Sequence, residues 1–118
     1  MLPQQWVEEA TSKQVPNDQE GHSKIGVDWI QGYGFQFWRC THNAFRGDGA
    51  AGQLCVVIPE KDAVIAITAN TGSFQDEMNA IWDKLYPAFQ AEALPEDPAA
   101  QGKLKEVIAR LEAHPAKK

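Results

Sequence analysis

The sequence predicts an α+β fold, an antiparallel sheet of about three to four strands with flanking helices. Three observations carry that expectation. First, two apolar runs, 53–58 and 63–69, flank Pro59-Glu60-Lys61-Asp62, which reads as a hairpin closed by a type I turn. Pro59 pre-sets φ there, and a short polar side chain such as Asp62 bonds local backbone. Second, residues 32–38 place Tyr33, Phe35 and Phe37 on one parity, and residues 44–48 follow a turn at Thr41-His42-Asn43, giving two more strands. Third, Phe74, Met78, Ile81, Trp82, Leu85 and Phe89 recur at helical spacing as a wide apolar stripe.

In chain order, residues 2–12 predict a short helix with Pro3 in its first turn and Trp6, Val7 and Ala10 on one face. Residues 13–31 are polar and broken by Pro16, Asn17, Asp18, Gly21 and Gly26, so they read as a long surface loop. The runs 54–58 and 63–67 are apolar on both parities, which predicts cover on both faces of the sheet. Ser73 suits an N-cap with Asp76 three residues on, and Pro87 ends or kinks the following helix. Residues 1–90 form the main body, 91–98 a linker, and 99–118 an amphipathic helix and tail. Asp97 caps that last helix, Pro98 opens it, and Leu104, Val107, Ile108 and Leu111 give it a narrow apolar stripe.

The composition is that of a soluble globular domain: 43% apolar, 23% charged, net charge −5 over 118 residues. The charge argues against a nucleic-acid partner, and no stretch is long and apolar enough for a membrane span. The first residues lack the basic and apolar regions of a signal peptide. Cys40 and Cys55 form no CxxC, and His22, His42 and His114 have no ligand spacing, so neither a metal nor a cofactor is expected. Both thiols read as buried and free.

The one compact polar constellation is Arg46-Gly47-Asp48-Gly49-Ala50-Ala51-Gly52-Gln53. Its glycines bare the backbone beside a strand, and amides aimed at a developing negative oxygen form an oxyanion hole. The embedded Arg-Gly-Asp lies between strand-like runs and not at a loop tip, which argues against an integrin ligand.

From Gly32 to Trp82 the chain resembles the C-terminal part of the serine β-lactamase and penicillin-binding-protein superfamily, in its class C and esterase-like branch. The resemblance rests on GYGFQFW, then Gly47-Asp48-Gly49 in the place of the Lys-Thr-Gly triad, then Gly52, QLCVVIPEKDAVIAITAN and a helix carrying Trp82. It implies part of a β-lactamase-type α/β domain, acyl transfer from an ester or amide to water, and Ala50 as a backbone oxyanion donor. It also implies that Gly47, Asp48, Gly49 and Arg46 lie along the substrate.

The chain departs from that pattern. No Ser-x-x-Lys and no tyrosine motif is present; Ser12, Ser23 and Ser73 all have the wrong context. Gly47 removes the triad's cation, and Asp48 replaces its threonine with an anion. These departures favour an esterase, an amidase or a non-catalytic relative over β-lactam hydrolysis. The expectation is a fragment of a longer hydrolase, inactive alone, whose partner is the remainder of that enzyme or a second copy bound through the sheet. The alternative is a stand-alone binding or dimerisation module.

Overall fold

The computed structural model describes residues 1–110. Four strands, β1 (Trp38–Arg39), β2 (Phe45–Gly49), β3 (Gln53–Ile58) and β4 (Ala63–Ile67), form an open antiparallel sheet in the order β1-β2-β3-β4. Four α-helices join it: α1 (Gln4–Thr11), α2 (Glu20–Ser23), α3 (Phe74–Ala80) and α4 (Pro98–Arg110). The α+β expectation is met.

The β3–β4 hairpin turns through Pro59–Lys61, and Asp62 closes it at φ 47°, a left-handed position that short polar residues tolerate. The β1–β2 turn uses His42 (φ 57°) and Asn43 (φ 52°), with the Ala44 amide donating to Thr41 O at 3.1 Å. Two consecutive positive φ values mark a type I′ turn, whose twist matches that of paired strands. The first predicted strand shrinks to two residues. Gln36 stands at φ 69°, and the Gly34 amide donates to Phe37 O at 2.8 Å, so residues 34–37 turn back on themselves.

Among the described residues the doubly apolar strands are covered on one face only. Leu54, Val56 and Ile58 alternate with the more exposed Gln53, Cys55 and Val57. Register places Leu54 beside Ile67, Val56 beside Ile65 and Ile58 beside Ala63. This face packs on Phe74, Met78, Ile81, Trp82, Tyr86 and Phe89. On the opposite face Phe45 is buried, with Phe37 edge-on to it at 5.5 Å, but Cys55 and Ala66 are exposed and Val64 is 66% exposed. β4 is also an open edge with no charge or proline to blunt it.

The stripe from Phe74 to Phe89 changes pitch as it goes. α3 passes into a π-turn at Ile81–Leu85 and then a 3-10 turn at Tyr86–Ala88. Pro87 lacks the amide that an α-ladder needs, so the ladder loosens ahead of it. Ser73 makes no side-chain cap; its own amide donates to Thr71 Oγ1 at 3.0 Å. Asp97 caps α4 as expected, accepting from the Ala100 amide at 2.9 Å. The tail 111–118, including Leu111, lies outside the described residues.

Gly34 allows the C-terminal end of α1 to sit against the turn at residues 34–37. A Cβ at Gly34 would fall inside the contact radius of Ala10 O and 2.7 Å from Ser12 O. Gly34→Ala should therefore cost about 2 kcal/mol, read as a lower urea midpoint, with α1 becoming the first site of proteolysis.

Candidate functional site

Residues 13–31 run mostly over the surface, as expected, but they include α2 and a 3-10 turn at Val27–Trp29, and not all of them stay outside. Asn17, Asp28 and Trp29 from this segment are buried. Asn17 Nδ2 donates to Trp29 O at 2.9 Å, and its Oδ1 accepts from the Gly32 amide at 2.6 Å, which folds the segment back on itself. Burial of Asn17 and Asp28 is tolerated because their polar groups find hydrogen-bond partners inside.

Asp28 is the hub. Its Oδ1 accepts from the amide and the hydroxyl of Thr41, both at 2.8 Å. Its Oδ2 accepts from Gln75 Nε2 at 2.7 Å and Trp82 Nε1 at 3.0 Å. Its amide donates to Gln75 Oε1 at 3.0 Å, and its carbonyl accepts from Arg46 Nη1 at 2.8 Å. Burial alone raises the carboxyl pKa, but the four donors outweigh it and hold the group below its ordinary value.

Arg46, from β2, lies on the same covered face and is fully buried. Its guanidinium carbon stands 4.0 Å from the centre of the Trp29 ring. Nη1 also reaches Cys40 Sγ at 3.2 Å, and Nε donates to Asp48 Oδ2 at 3.0 Å. Nη2 approaches that same oxygen at 2.9 Å as an ion pair and not as an aligned hydrogen bond. Burial pushes the Cys40 thiol up to about 11, so it stays protonated and inert. Both cysteines are free, as expected, but only Cys40 is buried; Cys55 is exposed.

The residues singled out from the sequence are thus divided. Arg46 and Asp48 turn toward α3 and neutralise one another. Gly47 opens the other way, with nothing within 4 Å of where a Cβ would stand. Gly49 ends β2, and Ala50 is exposed in the turn that follows. No partner for the Ala50 amide is found among the described residues. Burial of Arg46 within a strand also removes the Arg-Gly-Asp tripeptide from any loop tip.

Two further features bear on this turn. Ala51 (φ 64°) and Gly52 (φ 88°) are both left-handed, so the backbone here is held in a conformation that alanine adopts at a cost. Glu77 of α3 presses its carboxylate against Gly52, where a Cβ would meet both oxygens at 2.7 Å. Both oxygens are shielded from solvent and have no hydrogen-bond partner among the described residues; burial raises this carboxyl's pKa. Nothing in the sequence singled out Glu77. Its role depends on the contact with Gly52, which no spacing reveals.

Beside Asp48 the structure holds a cavity of about 70 Å³ lined by Ile25, Trp29, Gly49, Leu54 and Phe74. That is room for one or two water molecules and not for an acyl substrate. Among the described residues no group of three metal-ligating side chains converges. Comparison with models of known protein families, with curated proteins and with solved structures finds no match.

Asp28→Asn should cost about 3 kcal/mol in urea unfolding, because the new amide group faces the donors of Gln75 and Trp82. Wild-type stability from Asp28 is present above its ordinary pKa of 3.8 and falls as pH drops through the lower folded value. The variant should lack that acid limb. Glu77 works in the opposite sense. Its folded pKa is raised, so it weakens folding as pH rises past its ordinary 4.5. Glu77→Gln should raise the urea midpoint at neutral pH, and the gain should vanish in acid.

Proposed function

We propose that the chain is the C-terminal sheet-and-helix portion of a β-lactamase-like serine hydrolase, supplying the Ala50 amide as one oxyanion donor but no nucleophile. The observation that carries this reading is Ala50, exposed in the turn just after β2, its amide without a hydrogen-bond partner among the described residues, beside Gly47 and Gly49 on a sheet that stops at an open β4 edge. An oxyanion hole needs such an amide fixed on a rigid element before the reaction begins. The antiparallel meander followed by a helix carrying Trp82 agrees with the order of elements that the resemblance implies.

The electrostatics favour a neutral ester or amide over a substrate bearing a carboxylate. The only cation in the triad region, Arg46, is buried and spent on Asp28 O and Asp48. Gly47 offers no charge. The nucleophile, its base and the rest of the substrate groove would come from the remainder of the enzyme.

The 118-residue chain alone should not hydrolyse p-nitrophenyl acetate above a Ser73→Ala control, and none of its three serines should take a fluorophosphonate label. Joined to a coding sequence that supplies Ser-x-x-Lys and the tyrosine motif, it should gain both properties. Ala50→Pro in that longer protein should lower kcat by about 10²- to 10³-fold, the usual loss of one oxyanion donor. Turnover or labelling by the short chain, or an unchanged kcat in the proline variant, would overturn the proposal.

A further inference from the structure

Two apolar surfaces stand uncovered among the described residues. One is the far face of the sheet around Cys55, Val64 and Ala66. The other is α4, none of whose residues is buried; Leu104, Val107 and Ile108 are 60%, 46% and 56% exposed. We propose that these surfaces cover one another between two copies of the chain: α4 of each copy lies across the bare sheet face of the other, in a two-fold dimer.

The stripe on α4 has the size and chemistry that the sheet face lacks. Leu104, Val107 and Ile108 recur at three and four residues and so share one side of the helix. A helix of 13 residues is marginal in water without a surface to dock on. The receiving channel, about 330 Å³, is lined by Val7, Val57, Ile58, Pro59, Ala63 and Val64.

Charge fits as well. Glu8 and Asp62 border the channel, and α1 carries Glu8 and Glu9 with no cation. α4 carries Lys103, Lys105 and Arg110 against a single Glu106. An acidic rim therefore meets a basic helix, which fixes orientation and speeds encounter.

The chain leaves the body beside this channel. Phe89 O accepts from Lys61 Nζ at 3.3 Å, next to Pro59 and Asp62. Residues 90–97, eight in all, span up to about 26 Å when extended, enough to pass to a neighbour. Among the described residues, none of α4 is buried against the rest of the chain.

The dimer does not depend on the hydrolase reading, and its test has no catalytic readout. Light scattering after size exclusion gives the mass of the full chain, and reaction with Ellman's reagent reports the sheet face through Cys55, since Cys40 is buried. The wild type should run at twice 13.1 kDa, and Cys55 should react about tenfold more slowly than in Leu104→Glu/Ile108→Glu. That variant changes two exposed positions, so it should keep the wild-type circular dichroism of the sheet and run as a monomer. A monomeric wild type overturns the proposal, whether Cys55 is fast (face bare) or slow (helix docked in its own copy). So does a dimer that survives the double substitution.

Discussion

The structure depends on one buried carboxylate. Asp28 receives hydrogen bonds from the β1–β2 turn through Thr41, from α3 through Gln75 and from the π-turn through Trp82. Three segments distant in sequence are thereby fixed to a fourth. A buried charge without partners is expensive, so the arrangement is all or nothing: each donor present lowers the cost of burial, and each donor lost leaves charge unanswered. The indole of Trp82 can reach Asp28 because the helix widens into a π-turn before Pro87. His42, stacked on Trp82 with ring centres 4.4 Å apart, ties the same turn down from outside.

This clamp makes one face of the sheet self-sufficient. Trp29, held in place by its neighbour Asp28 and by Asn17, forms a floor for the Arg46 guanidinium. Arg46 in turn fixes Asp48 and shields it electrostatically. The polar residues of β2 are thus internal fittings, while Gly47 faces the other way into open space. The face that α3 covers is finished; the face with Gly47, Cys55 and Val64 is bare among the described residues. Both the hydrolase reading and the exchanged helix draw on that same asymmetry.

Much of the scaffold was legible in the residues. The 53–58 and 63–67 hairpin, the 74–89 stripe and the Asp97 cap are local features, set by period and turn chemistry within a few residues. What escaped was long-range. Asn17 and Asp28 look like loop residues because polarity marks the surface on average, and nothing in the sequence shows that Gly32, Thr41, Gln75 and Trp82 converge on them. The strand expected at 32–38 gave way because Gly34 slides under the end of α1 and Gln36 reverses the chain. Cover on both faces was expected from the apolar parities of Leu54 to Ile67, but among the described residues the sheet is covered on one face only. Of the candidate site, the glycines stood out by composition, and Ala50 followed from the resemblance alone. The burial of Arg46 and the stranded carboxylate of Glu77 are products of packing.

Native-state hydrogen exchange tests the clamp most directly. If Asp28 binds the fold into one cooperative unit, the Trp82 indole proton and the Thr41 amide should exchange only through global unfolding, at the same free energy as the Val56 and Ile58 amides of β3. Fast exchange at Trp82 or Thr41 while β3 stays protected would contradict it, and would leave the sheet, not the carboxylate, as the source of the fold's cohesion.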